Sequence, residues 1–240
     1  MNRKVLITGA SRGIGREIAI SFARSGDELY LTCRDNLEML EELGNWLVAN
    51  FGVTCRACQC DVSNYNAVKE LFDAIGDIDI LINNAGIAWM GLLQDMEEED
   101  WHRVIGTNLD GCFNTCKFAV PGMVRNQMGL IINISSVWGN VGASYEVAYS
   151  ASKGGVNSFT RALAKELAPS NVQVNAIACG VIDTDMNRNH LSQEELENLS
   201  QEIPAGRMGN PSEVAETVMM LVEAPTYLTG QIITLDGGWI

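Results

Sequence analysis

Apolar positions along this chain fall into two alternating rhythms. Short, nearly continuous apolar runs occur at Lys4–Thr8, Glu28–Cys33, Thr54–Cys60, Ile78–Asn83, Leu130–Ser135, Val172–Ala178 and Gln231–Asp236. Longer stretches with helical spacing lie between them, at Ile14–Ser25, Leu37–Asn50, Tyr65–Ile75, twice within Glu98–Met128, and at Tyr149–Ala168 and Pro211–Glu223. The alternation predicts strands joined by crossover helices, hence a parallel sheet with helices on both faces. Runs such as Ile80-Leu81-Ile82 are apolar at consecutive positions, which predicts strands buried on both sides. No repeat, low-complexity segment or linker interrupts the pattern. The expectation is a single doubly wound α/β domain over residues 1–240, built on a seven-stranded parallel sheet.

Residues 185–204 break the rhythm between the sixth and seventh strands. They are polar and acidic, and Ser192-Gln193-Glu194-Glu195 resembles a capping box at a helix start. Sheets of this kind bind ligands outside the carboxyl ends of their strands. The segment therefore reads either as a substrate-side flap over that edge or as a solvated helical hairpin.

Charge narrows the partners. Sixteen Lys and Arg against 30 Asp and Glu give a net charge of −14, with no local basic patch. Nucleic acid and anionic membranes are not expected partners. Val5-Leu6-Ile7 is too short an apolar stretch for a signal peptide, and no later run approaches the ~20 residues of a membrane span. Seven cysteines, an odd number, point to free thiols in a reducing cytoplasm.

The first strand runs into Thr8-Gly9-Ala10-Ser11-Arg12-Gly13-Ile14-Gly15, which opens a helix. Gly9 permits a tight turn; Gly13 and Gly15 allow close approach of a phosphate and close helix packing. A helix N-terminus then offers free N–H groups and partial positive charge to a pyrophosphate, the arrangement of a Rossmann-like dinucleotide site. Proteins that bind NAD place a carboxylate at the end of the second strand for the ribose 2′-OH. This chain has Cys33 and Arg34 there, with Arg12 inside the glycine turn. Two guanidinium groups suit a 2′-phosphate, so NADPH/NADP+ is the expected cofactor. Asp35, one residue further on, is expected to cap the next helix.

Further landmarks follow in order. Asn83-Asn84-Ala85-Gly86 ends the fourth strand, Asn108 lies in a helix, Ser136 follows the fifth strand, and Tyr149-Ser150-Ala151-Ser152-Lys153 opens a long helix. With the glycine turn, these motifs resemble the short-chain dehydrogenase/reductase family over essentially the whole chain. Pro204-Ala205-Gly206-Arg207-Met208-Gly209 through Leu228-Thr229-Gly230-Gln231 is similar to the 3-oxoacyl-[acyl-carrier-protein] reductase branch. Tyr65-Asn66-Ala67-Val68-Lys69 has the same Tyr-x3-Lys spacing but Gly52, not Ser, thirteen residues upstream, and reads as a solvated helix. Ser135 and Ser136 face opposite sides of a strand; the family spacing selects Ser136.

The resemblance implies an NADPH-dependent reductase of a 3-oxoacyl thioester, linked to acyl carrier protein or coenzyme A. Tyr149 would be the general acid. A free phenol, with a pKa of ~10, is a weak donor near neutrality. Lys153 projects from the same helix face, and its ammonium is expected to lower the phenol's pKa. Ser136 would hydrogen-bond the carbonyl oxygen, and Asn108 would hold a water that passes protons to Lys153. Asp61 and Val62 would flank the adenine. Asn84, Ala85 and Gly86 would line the ribose edge, with Lys153 on the ribose hydroxyls. Ile182 and Thr184 would hold the carboxamide. Trp89 and Trp138, with Ser136 and Tyr149, would border the substrate. One departure is Cys179-Gly180 where the family has Pro-Gly; Cys179 reads as a packing residue. A homotetramer is implied, pairing through the two helices after the fourth strand and through the last helix and strand.

Other readings compete. A different ketone or secondary alcohol would suit the same residues, and a cofactor-binding protein without turnover is a third possibility. A carrier that is itself acidic calls for local basic residues, yet Asn126–Gly129 and Pro169–Asn171 offer none, with Arg125 alone nearby. No metal is expected. Cys58 and Cys60 face one side of their strand and Cys55 the other, and His102 and His190 lack metal spacing. Cys112 and Cys116, four apart on a helix, read as core, and Glu97–Asp100 reads as an acidic helix start.

Overall fold

The computed structural model describes residues 2–188 and 193–240. All seven predicted strands form: β1 (Lys4–Ile7), β2 (Glu28–Cys33), β3 (Cys55–Gln59), β4 (Ile80–Asn83), β5 (Gly129–Ser136), β6 (Val172–Cys179) and β7 (Ile232–Leu235). They pair in parallel in the order β3-β2-β1-β4-β5-β6-β7, so the chain reverses its winding direction between β1 and β4. Alternate side chains on each strand enter different cores. Val5 and Ile7 pack with Ile82, Leu31 and Val214 on one face, whereas Leu6 packs with Leu81, Ile131 and Val174 on the other. That is the physical content of the continuous apolar runs.

The helices are α1 (Gly13–Arg24), α2 (Leu37–Phe51), α3 (Tyr65–Ile75), α4 (Glu98–Ile105), α5 (Gly111–Asn126), α6 (Trp138–Val141), α7 (Val147–Leu167), α8 (Asp185–Arg188), α9 (Gln193–Glu202) and α10 (Pro211–Val222). Their ends follow local chemistry. The Asn64 side chain accepts from Asn66 N and Ala67 N at the start of α3, and Gly52 closes α2 with φ of 69°. Glu98, Glu99 and Asp100 occupy the first turn of α4, where negative charge is favourable.

Three local expectations are corrected. Asp35 is not a cap: Asn36 occupies the N-cap position of α2 without a side-chain bond, and Asp35 instead pairs with Arg34 at 2.8 Å. Asn108 lies not in an ordinary helix but in a π turn, Gly106–Asp110, between α4 and α5. Ser136 is the last residue of β5 rather than the first after it. The 185–204 segment contains α8 and α9, and the proposed cap at Ser192, like His190, lies outside the described residues.

Cys55 packs on one face of the sheet and Cys58 and Cys60 on the other. The seven cysteines are free thiols. Among the described residues there is no cluster able to hold a metal, and no helix long and apolar enough to cross a membrane. Tyr65 is exposed and Lys69 pairs with Asp73 at 2.6 Å on the solvent side of α3.

Candidate active site

The carboxyl ends of β1, β4, β5 and β6 meet at one edge of the sheet. After β1 the chain turns through Gly9, with φ of 63°, and Gly13, with φ of 54°, values that favour glycine. Arg12 occupies the N-cap position of α1 without a side-chain bond to the first turn, so the turn's N–H groups are not capped by a side chain. The loop after β4 is clamped to this turn. The Thr8 hydroxyl accepts from Asn84 N and Ala85 N, both at 3.0 Å, and the Asn84 amide donates to the carbonyls of Thr8 and Gly9.

A Cβ on Gly15 would collide with the Gly9 carbonyl and the Asn84 amide. Gly15→Ala is therefore expected to destabilise the fold by roughly 3 kcal/mol, because two of the three nearest atoms in the way, the Gly9 carbonyl and Ala10 Cα, are backbone. It should also misplace the first turn of α1. Urea unfolding and titration with NADPH would check both; unchanged stability and affinity would refute the clamp.

Around the cradle, Thr184 approaches Gly13: a Cβ there would lie 3.4 Å from Thr184 Cγ2. Ile182 is buried and bridges to Gly209. Asp61 turns its carboxylate to Ser63, accepting from N at 2.9 Å and Oγ at 2.7 Å, while Val62 packs against Gly111. Arg34 pairs with Asp35, and Arg12 reaches Asp185 on α8 at 3.6 Å. Both pairs are exposed and weakly held, free to exchange toward another anion.

Beyond the cradle, the structure brings Ser136, Tyr149, Lys153 and Asn108 together. The Ser136 hydroxyl accepts from Trp138 N at 3.2 Å and lies beside the Tyr149 phenol. Ser135 points elsewhere, donating to Asn157 Oδ1 at 2.6 Å. Lys153 is 5% exposed; its amine lies 5.6 Å from the Tyr149 ring centroid and donates to the Ile134 carbonyl at 2.8 Å. Burial lowers that amine to about 8. Tyr149 differs from expectation. Burial first, and then the Glu146 carboxylate, hold its phenol above the ordinary value, and the Ser136 hydroxyl only partly opposes them. With the amine turned to Ile134, desolvation outweighs attraction to a cation.

The Asn108 side chain is engaged. Its oxygen accepts from Ile87 N at 2.9 Å, and its amide donates to the Ile87 carbonyl at 2.9 Å and Ser152 Oγ at 3.0 Å. Beside it lies a cavity of about 10 Å³ between Thr8, Ala85, Thr107, Asn108, Cys112 and Lys153, space for roughly one water. The floor is a buried network. Thr115 donates to Asn83 at 2.6 Å, Asn83 to Asn133 at 2.9 Å, and Asn133 to Thr160 at 2.8 Å. These bonds lock β4, β5, α5 and α7 together beneath the site.

The rim is apolar. The Trp138 ring meets Trp239 edge-on at 5.0 Å, and the Trp89 ring covers Gly91, whose N–H donates to the Tyr145 carbonyl at 2.9 Å. Cys179 is buried in the core with a thiol pushed up to about 12 by burial. Trp239 and Glu146 did not emerge from sequence reasoning. Trp239 lies far along the chain from Trp138, with no motif connecting them. Glu146 is separated from Tyr149 by a single helical turn, a spacing that could have flagged it.

A glycine cradle facing a phenol, a hydroxyl and an amine across one sheet edge places the molecule among dinucleotide-dependent oxidoreductases. Residues 3–195 match the short chain dehydrogenase family, and the chain belongs to it; it is an oxidoreductase that uses a nicotinamide cofactor. It is 39% identical over 241 residues to the uncharacterized oxidoreductase YmfI of Bacillus subtilis, covering 100% of this chain and 99% of that protein. It is 40% identical over 243 residues to the 3-oxoacyl-[acyl-carrier-protein] reductase FabG of Staphylococcus aureus, covering 99% and 98%. The crystal structure of a 3-oxoacyl-[acyl-carrier protein] reductase from Brucella melitensis is similar with a TM-score of 0.92 and 35% identity, covering 99% of this chain and 91% of that one.

Proposed function

We propose that this enzyme reduces a 3-oxoacyl thioester to the 3-hydroxyacyl thioester, with NADPH as cofactor and Tyr149 as proton donor. The observation that carries the reading is the grouping of Ser136 and Tyr149 with buried Lys153, whose amine lies 5.6 Å from the Tyr149 ring centroid, at the sheet edge that also carries the glycine cradle. Relatives named as 3-oxoacyl-[acyl-carrier-protein] reductases along nearly the full chain support the substrate class.

The cradle suits a dinucleotide. Gly15 packs the start of α1 tightly against the Gly9 carbonyl and the Asn84 amide, and the turn there, uncapped by a side chain, suits an anion. Gly9, Ser11, Arg12, Gly13, Ile14 and Gly15 would hold the pyrophosphate; Arg12 and Arg34 the 2′-phosphate; Asp61, Val62, Asn84, Ala85 and Gly86 the adenosine and ribose edges; Ile182 and Thr184 the carboxamide. When bound, the reduced nicotinamide supplies a hydride to the carbonyl carbon. The protein supplies orientation and the proton. Ser136 donates to the carbonyl oxygen as charge develops there. Tyr149 then releases its Oη proton to that oxygen; an alkoxide is a far stronger base than a phenolate, so a phenol above its ordinary pKa still donates. Lys153 binds the ribose hydroxyls and, being near neutrality in its own titration, returns a proton to Tyr149. Because the Asn108 amide is engaged, the relay water would sit in the adjoining cavity.

Charge bears on the carrier. Arg125, the one cation near the start of β5, is already paired with Asp77 at 2.9 Å, and the chain carries −14 overall. These leave an acidic protein carrier without a basic docking site, and because coenzyme A is itself polyanionic the same charge argument does not select it, so both carriers enter the test. Exposed Phe113 on α5 and Tyr227 beyond α10 lie on the faces through which a homotetramer would assemble.

The test is oxidation of NADPH in the presence of acetoacetyl thioesters of coenzyme A and of acyl carrier protein. Turnover on at least one of the two is expected. No turnover on either, with turnover on a simple ketone, would transfer the reading to another carbonyl substrate. Arg34→Ala should raise the NADPH KM about tenfold, the loss of one charge-assisted bond, and leave the NADH KM unchanged. Equal effects on both cofactors would refute its role at the 2′-phosphate.

A further inference from the structure

The chain leaves β7 at Leu235, which stands in the same cross-strand row as Cys179 on β6 and Ser136 at the end of β5. Two strand spacings put it about 10 Å from Ser136. Gly237, with φ of 68°, and Gly238, with φ of 83°, then reverse the chain in left-handed conformations that favour glycine. The Asp236 carboxylate holds the reversal, accepting from Gly238 N and from Ile240 N, both at 2.9 Å. The Gly237 carbonyl accepts from Ala205 N at 3.1 Å, and a Cβ on Gly237 would lie 2.9 Å from the Ile203 side chain. Residues 236–240 therefore form a fixed turn beside the active-site edge of the sheet.

That turn carries Trp239 onto Trp138. The ring centroids lie 5.0 Å apart with the planes at 61°, an edge-to-face contact. Trp138 opens α6, and its N–H donates to the Ser136 hydroxyl at 3.2 Å. The same short helix is seated on α7, where a Cβ on Gly139 would lie 2.7 Å from the Lys153 carbonyl carbon. Both indoles are half-buried, so apolar surface is left uncovered on each. A methylene chain passing between two rings needs them roughly 7 to 8 Å apart. This pair is closed to it.

We propose that Trp239 is a specificity-determining residue: with Trp138 it forms a wall that bounds the acyl side of the substrate site and restricts the enzyme to short 3-oxoacyl chains. This rests on the reading of the substrate as a 3-oxoacyl thioester. With the ketone oxygen held at Ser136, the indole pair is the apolar surface that the structure places beside it. The acyl carbons beyond the ketone match that surface. The thioester arm, whose amide groups would lose hydrogen bonds to water there, does not. Trp239 takes no part in hydride or proton transfer. Its place is set by Asp236 and the two glycines, so the wall can be moved without touching the residues of the chemistry.

The test compares acetoacetyl-N-acetylcysteamine with 3-oxooctanoyl-N-acetylcysteamine, thioesters that need no carrier, and reads the ratio of their kcat/KM values with NADPH. Loss of folded enzyme scales both values and leaves the ratio alone. The wild type is expected to favour the acetoacetyl compound. Trp239→Ala should raise the ratio of the longer to the shorter substrate by at least about tenfold, since each methylene that gains an apolar site is worth about fourfold. Trp239→Phe, with a smaller ring in the same place, should fall between. Asp236→Ala keeps the indole but releases the turn; it should move the ratio the same way, and it decides the matter if Trp239→Ala fails to fold. A wild type that already prefers the longer chain, or a ratio left unmoved by the deciding variant, would overturn the proposal. The two readings fail differently. A wild type that reduces neither thioester removes the substrate class and this inference with it, whereas reduction of the acetoacetyl compound with unmoved ratios sinks only the wall.

Discussion

Tyr149→Phe is expected to lower kcat for reduction of an acetoacetyl thioester by about 10³-fold, the scale of a lost general acid, while NADPH affinity changes less than about threefold. The argument is local. The substitution removes one oxygen from a ring whose placement depends on α7, which runs on to Leu167 whatever that side chain is. Ser136 keeps the bond it accepts from Trp138 N, and the glycine cradle is clamped from β4 by Thr8 and Asn84, independently of α7. Stability should therefore move by less than about 1 kcal/mol. Steady-state kinetics beside a fluorescence titration with NADPH measures both quantities. Retained turnover would remove the phenol from the chemistry; lost cofactor binding would mean that it acts as scaffold.

Lys153→Met should have an even larger combined effect, with activity lost and stability gained. The amine is 5% exposed and its pKa is lowered from 10.5 to about 8 by burial. Below pH 8 both folded and unfolded chains carry the charge, and the folded one bears the full cost of burying it. Between pH 8 and 10.5 the unfolded chain binds more protons than the folded one, so stability rises with pH across that window. A displacement of this size corresponds to about 3 kcal/mol, offset by about 1 kcal/mol for the bond to the Ile134 carbonyl. Lys153→Met should thus be more stable than the wild type by about 2 kcal/mol at pH 7, with the gain fading toward pH 10. Denaturant unfolding at the two pH values checks it. A variant less stable than the wild type at pH 7 would show that the lysine is held at no cost. Activity should fall by at least about 10²-fold, because the proposed ribose contact and proton return would both be lost.

The two substitutions bear on how the site stores its capacity for chemistry. Burial disfavours the charged form of both groups, holding the phenol above its ordinary pKa and the amine below its own. The buried polar network of Asn83, Asn133, Thr115 and Thr160 fixes the strands and helices that carry them.

By itself the sequence determined the seven strands, the parallel pairing implied by alternation, and the glycine turn after β1. Periodicity and glycine placement are local properties, set by the residues within one element. Motif order also identified the residues that meet at the sheet edge, because each follows a particular strand end and the topology brings those ends together. The tertiary structure decided what periodicity does not encode. It turned Asn108 into a π turn whose amide is engaged by Ile87 and Ser152, and it gave Asp35 to Arg34 instead of to the helix. It reversed the expected displacement of the Tyr149 phenol and set Glu146 and Trp239 on the rim. Each depends on distances between atoms remote in the chain or on how much water reaches them. Desolvation and charge proximity exist only once the elements have packed, so the acidity of the site belongs to the fold, while the identities of its members belong to the sequence.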